Sequence, residues 1–271
     1  MKVAAIQMVS STALDDNLRV ARELLEQAAL GGAELAVLPE YFCLMGHKDT
    51  DKLALRETAG AGVIQQFLAD TARALQIWIV GGTLPMATDA PDRVRNTTLV
   101  FDPAGACVAR YDKIHLFRFS NGAEQYDEGR VIDAGDTPVQ FDLQARSGQR
   151  WRVGLSVCYD LRFPELYRAH ARAGADLLLV PSAFTRTTGQ AHWEVLLRAR
   201  AVENLAYVLA PAQGGVHANG RHTWGHSMLV DPWGSILAQR GQGAGVVAGE
   251  LDAQRLSAVR AQLPALTHRV L

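Results

Sequence analysis

Two hydrophobic periods alternate along the chain. Residues 1–8, MKVAAIQM, form a short apolar run that reads as a strand. From 16 to 30 the apolar positions recur every three or four residues: Leu18, Ala21, Leu25, Ala28 and Ala29 share one helical stripe, which Gly31-Gly32 ends. LAVLPE (35–40) reads as a short buried strand. Residues 63–75 place Ile64, Phe67, Leu68 and Leu75 on a second amphipathic helix, and strand-like QIWIVGG (76–82) follows. No linker, charge block or low-complexity tract breaks the chain, which predicts one α/β domain over residues 1–271.

The pattern also repeats itself. GGAELAVLPE (31–40) resembles AGADLLLVPSA (173–183), and LVFDPAGACVA (99–109) resembles MLVDPWGSILA (228–238). Each member of the second pair is strand, Asp-Pro-x-Gly turn, strand, the signature of a hairpin. A doubled half of this kind predicts two β-sheets face to face with helices outside. The expected fold is a four-layer α-β-β-α sandwich with an internal pseudo-two-fold. Sites in open α/β sheets lie at strand C-termini, where Glu40, Cys158 and Ser182 stand.

Cys158 closes the strand-like WRVGLSVC, and Pro164 then opens a helix over 164–174. A thiol ahead of a helix N-terminus can have its thiolate favoured, and nearby backbone N–H groups can bind an oxyanion. A buried structural cysteine would look the same by itself. GLSVC lacks the closing glycine of G-x-S-x-G, so no serine elbow is present. His217, His222 and His226 lack the carboxylate and the Cys-x-x-C of a metal site. Glu40, where a core strand emerges, could be a partly desolvated base or a solvated loop residue. Lys113, in the apolar stretch VARYDKIHLF (108–117), needs an anionic partner if it is buried.

Charge and cysteine content narrow the function. Lys+Arg is 27 against Asp+Glu 28, so no basic excess points to nucleic acid or an anionic membrane. No apolar run approaches a membrane span and MKVAAIQM is too short for a signal peptide, so no membrane role is expected. The three separated cysteines, Cys43, Cys107 and Cys158, argue against a disulfide framework and fit a reducing cytoplasm.

LPE (38–40), YDKIHLF (111–117) and GLSVCYDLRFPELYR (154–168) together resemble the three catalytic blocks of the nitrilase superfamily, the carbon–nitrogen hydrolases, in order and in wide spacing. The resemblance implies that Cys158 is the nucleophile, Glu40 the general base and Lys113 the stabiliser of a tetrahedral oxyanion. It implies a second glutamate at Glu128, with Glu124 competing for the place. It implies no metal or organic cofactor, and assembly as a homodimer or higher homo-oligomer. The helix after Cys158 and a tail from about 252 to 271 would be the parts that reach a partner subunit. PSAFTRTTGQAHWEVLLRARAVEN (181–204), GHSMLVDPWG (225–234) and AQLPALTHR (261–269) look most like the branch that cleaves deaminated glutathione to 2-oxoglutarate and cysteinylglycine. The alternative is an ω-amidase, acting on 2-oxoglutaramate, or another small-amide hydrolase; a non-catalytic scaffold is a third possibility. Tyr159, Ser182 and Arg186 are the expected substrate-binding residues, Arg186 as a cation for a substrate carboxylate. Asp160, Arg162 and Glu165 are expected to hold the turn by ion pairs.

Overall fold

The helical stripes and apolar runs form the elements their periods predict. In the computed structural model, which describes residues 1–122 and 124–270, the first helix is Leu14–Leu30 (α1) and buries Ala21, Leu25 and Ala28. The second is Val63–Leu75 (α2), with Ile64, Leu68 and Ala72 inward. Later helices are Pro164–Arg172 (α3), Arg186–Asn204 (α4) and Ala253–Gln262 (α5).

The strands form two large sheets. One runs, in spatial order, Gly245–Glu250, Lys2–Gln7, Leu35–Val37, Trp78–Val80, Val94–Phe101 and Leu84–Ala87. The other runs Gln140–Gln144, Arg150–Leu155, Leu177–Leu179, Tyr207–Ala210, Ser227–Val230 and Ile236–Arg240. Along both, successive neighbours are antiparallel, parallel, parallel, antiparallel, antiparallel. This shared order is the pseudo-two-fold that the sequence echo predicts.

The two Asp-Pro-x-Gly turns match bond for bond. Asp102 accepts the amides of Ala104 and Ala106, and Asp231 accepts those of Trp233 and Ser235. The fourth residues of these turns, Gly105 and Gly234, have φ of 80° and 88°, a region L side chains avoid.

Strand residues alternate between two hydrophobic environments. Val3, Ala5 and Val37 face Leu155, Leu179 and Leu209 of the opposite sheet, while Ala4, Ile6 and Ala36 pack under α1 and α2. Burial on both faces is why these parallel strands read as continuous apolar runs. Helices cover each outer face, giving the α-β-β-α sandwich. Helix α5 docks on its own chain: Leu256 and Val259 are buried, Arg260 pairs with Asp176 at 2.8 Å and Arg255 with Asp231 at 3.0 Å. In the tail expected to reach a partner, the buried residues are Leu256 and Val259, and none of the described residues from 260 to 270 is buried. Among the described residues, no helix is long and apolar enough to cross a membrane.

Candidate active site

Glu40, Lys113, Glu128 and Cys158 arrive at one place by four separate backbone routes. Glu40 follows Leu35–Val37 and Leu38-Pro39, and the next residue, Tyr41, turns the chain with φ of 57°. Gly82 has to be glycine beside it: a Cβ there would lie 2.1 Å from the Pro39 carbonyl oxygen. Lys113 stands one residue past Cys107–Asp112, at the strand's end and not within it. Its amide donates to the Asn96 carbonyl at 3.0 Å and its carbonyl accepts from Gly135 at 2.8 Å. The hairpin of Arg118–Ser120 and Gln125–Asp127 returns the chain so that Glu128 bonds back to Phe117.

Cys158 lies beyond the end of Arg150–Leu155, at the start of a short 3-10 turn, Cys158–Arg162. Its φ of 49° is unusual for a side chain with a Cβ and marks backbone strain at a functional position. Asp160 fixes this turn. Its carboxylate accepts from the Tyr111 hydroxyl (2.6 Å) and from the amides of Val157 (2.8 Å) and His115 (3.0 Å), and meets the His115 ring at 2.7 Å. One buried side chain thus ties the turn carrying Cys158 to the segment carrying Lys113.

The Lys113 ammonium, fully buried, donates to Glu40 Oε1 at 2.8 Å and to both oxygens of Glu128 at 3.0 and 2.8 Å. Glu40 also accepts from Asn96 Nδ2 and from the amide of Ala183, each at 3.0 Å. Glu128 takes two further bonds, from the Tyr41 hydroxyl and the Phe117 amide, both at 2.7 Å. Glu124 is elsewhere, bonded to Thr187 and Tyr126 on the surface side. The geometry therefore selects Glu128 as the second glutamate of the cluster.

Burial would by itself lower the Lys113 pKa, but Glu128 and Glu40 outweigh it and hold the ammonium well above its ordinary value. Burial likewise pushes Glu128 up, and the Lys113 charge with three sets of hydrogen bonds brings it below the usual range. Cys158 goes the other way. Burial first, then the Glu40 carboxylate, hold its thiol well above the ordinary value, against the opposing pull of Lys113. The expectation of a dipole-favoured thiolate is thus not met: α3 begins only at Pro164, and the thiol sits in a buried pocket beside a carboxylate. The cluster therefore favours a charged Lys113 beside an ionised Glu128, and a proton on the Cys158 sulfur.

A small cleft borders Cys158, lined by Phe117, Tyr159, Arg162, Phe184 and Thr188 among others. Tyr159 lines this cleft. Ser182 does not: its hydroxyl bonds the Val180 carbonyl at 3.0 Å, and it holds the strand end while the next residue, Ala183, reaches Glu40. Arg186 is also displaced from its expected role. It is exposed at the first position of α4 and borders a separate depression with His222 and Gln242. Arg162 corrects the reading of the turn, since its guanidinium lies over the rings of Tyr159 (5.7 Å) and Phe184 (5.6 Å) at the cleft. The candidate metal ligand His217 is committed to the Ser10 carbonyl and the Thr223 hydroxyl. Asn96, Tyr41 and Phe117 went unread in the sequence; the only signal was a polar Asn96 in a strand whose neighbours are buried.

The carbon-nitrogen hydrolase family profile matches residues 2–261. The deaminated glutathione amidase of Synechocystis sp. is 45% identical over 270 residues, spanning 98% of this chain and 97% of that protein. The crystal structure of the Caenorhabditis elegans NitFhit protein superposes with a TM-score of 0.89 at 36% identity. It covers 99% of this chain, which spans 65% of that longer protein. An amidase from Nesterenkonia sp., a Glu-to-Gln variant whose active-site cysteine took up acrylamide by Michael addition, has a TM-score of 0.77 at 28% identity. The match covers 97% of this chain and 98% of that one. With the family profile across nearly its whole length, this chain belongs to the carbon–nitrogen hydrolase family and is an enzyme acting on amides.

Proposed function

We propose that the chain hydrolyses deaminated glutathione to 2-oxoglutarate and cysteinylglycine through a thioester on Cys158. The observation that carries the substrate is the near full-length likeness, at 45% identity, to an amidase of that compound. The observation that supports the chemistry is the buried Glu40–Lys113–Glu128 cluster beside the thiol.

The thiol stays protonated until a carbonyl is in place, because its conjugate base would face two carboxylates and one ammonium. Glu40 takes the proton as sulfur attacks the amide carbon and the carbonyl π pair moves to oxygen. In this reading Lys113 and the Tyr159 amide donate to that oxyanion; the Cys158 amide is committed to the Pro181 carbonyl at 3.0 Å. Glu128 keeps Lys113 charged and aimed. Collapse breaks the C–N bond while Glu40 returns its proton to the leaving amine. Water then attacks the thioester, Glu40 accepts its proton, and the C–S bond breaks to restore the thiol. No step asks for a metal or an organic cofactor.

In this reading the 2-oxoglutaryl part ends as the thioester on Cys158, and the cysteinylglycine portion lies on the leaving-group side. Contacts there separate this reading from an ω-amidase, whose substrate has the same acyl part and only NH2 to release. Initial rates on the two substrates at matched low concentration test it. Faster release of cysteinylglycine is expected; faster release of ammonia from 2-oxoglutaramate would transfer the assignment to the ω-amidases.

A further inference from the structure

Two cations near the glutamate cluster are only weakly matched by carboxylates. The Lys52 side chain is only 15% exposed, and its nearest carboxylate, Asp49, is 4.0 Å away. Its ammonium lies 5.0 Å from the ring centroid of Tyr41, the residue whose hydroxyl bonds Glu128. Arg221 comes from the loop before Ser227–Val230, 4.9 Å from the ring centroid of Tyr126. Tyr126 packs on Phe117, a wall of the Cys158 cleft, with centroids 5.6 Å apart. Among the described residues no carboxylate is within ion-pair distance of Arg221, and its Nε is buried without a hydrogen-bond partner. A guanidinium N–H left unpaired in this way is a costly arrangement unless something else accepts from it.

The two cations also feel each other. Burial, and then the charges of Arg221 and Lys113, hold the Lys52 ammonium below its ordinary value against the opposing pull of Glu128 and Asp49. An added anion would relieve both the repulsion and the orphaned donor.

We propose that Lys52 and Arg221 form a carboxylate-binding subsite beside the Tyr41–Glu128–Lys113 group, selecting acidic amides over uncharged ones. The proposal rests on the amidase reading above and names how that site recognises its substrate. A guanidinium and an ammonium converging on one carboxylate provide the charge-assisted hydrogen bonds such recognition needs. Deaminated glutathione offers a carboxylate at each end, one on the acyl part and one on glycine.

The test compares Lys52→Gln, Arg221→Gln and Lys52→Arg with the unaltered enzyme. The substrates are 2-oxoglutaryl-cysteinylglycine, 2-oxoglutaramate and the uncharged pentanamide. The ratio of kcat/KM for acidic to uncharged amide should fall about tenfold or more in each Gln variant, mainly through KM, and recover in Lys52→Arg. A loss on both acidic substrates places the acyl carboxylate in the subsite; a loss confined to the peptide amide places the glycine carboxylate there. An unchanged ratio in both Gln variants overturns the subsite and leaves the amidase reading standing. An unaltered enzyme with no preference for acidic amides would sink the substrate reading itself, and the subsite with it.

Discussion

The amide of Ala183 donates to the carboxylate of Glu40 at 3.0 Å, joining residues 143 apart in the chain. The two stand just past the ends of equivalent strands, Leu35–Val37 and Leu177–Leu179, in opposite halves of the sandwich. The proposed base is therefore held by the half that also carries the thiol. Asn96 and Lys113 complete its coordination from its own half. A carboxylate held from both halves has little freedom to move away from the proton it must carry.

Because the cluster is a connected unit, its members should fail together. Glu40→Gln, Lys113→Met and Cys158→Ala are each expected to lower kcat by at least about 10³-fold, with double variants little worse than singles. Steady-state kinetics with circular dichroism as a check on folding would measure this. Near-normal turnover by Lys113→Met would remove the lysine from the mechanism.

The thiol gives a prediction of sign. Burial and the Glu40 charge raise its pKa, and Lys113 lowers it. Glu40→Gln removes a raising influence and leaves the lowering one. The thiolate fraction of Cys158 at neutral pH should therefore rise, so acrylamide should alkylate it faster even as amide turnover is lost. In a mass-spectrometric pH series, the alkylation midpoint should shift to lower pH in the variant. A midpoint shifted upward would show that Glu40 does not face the thiol as a carboxylate.

The two glutamates of the 118–130 hairpin should separate cleanly. Glu128→Gln leaves Lys113 with one carboxylate instead of two, and kcat is expected to fall about 10²-fold or more. Glu124→Gln touches only Thr187 and Tyr126 and should stay within about twofold. Equal losses would mean that the hairpin acts as one piece and not through Glu128.

Asp160→Ala should be costly without touching substrate. It would strand the Tyr111 hydroxyl, the amides of His115 and Val157, and the His115 ring in a buried setting. A loss of about 3–5 kcal/mol is expected in denaturant unfolding, with kcat reduced because Lys113 loses its tie to the thiol turn. A Tm within about a degree of the unaltered protein's would contradict this.

Two of the expected binding residues, Ser182 and Arg186, lie outside the lining of the Cys158 cleft. Ser182→Ala should cost about 1 kcal/mol of stability and leave KM nearly unchanged, because its hydroxyl bonds the Val180 carbonyl. Arg186→Ala, exposed and outside the Cys158 cleft, should alter neither kcat nor KM by more than about twofold. A KM rise on acidic substrates in Arg186→Ala would return that residue to the site.

The sequence by itself determined the elements and the doubled architecture. Helix period, buried apolar runs and Asp-Pro-x-Gly turns depend on neighbours a few residues away, so the pattern alone carries them. The three blocks around Glu40, Lys113 and Cys158 were likewise legible, because each is a short local string at a strand end. What only the tertiary structure decided is which side chains meet. Ala183 reaches Glu40 across the two sheets, Asp160 joins the turn of Cys158 to the segment of Lys113, and a hairpin folds Glu128 back while leaving Glu124 outside. It also decided the charge state: the local string predicts a thiolate before a helix, but burial against a carboxylate keeps the proton on sulfur. Desolvation depends on everything packed around a group, and a linear pattern cannot contain that sum.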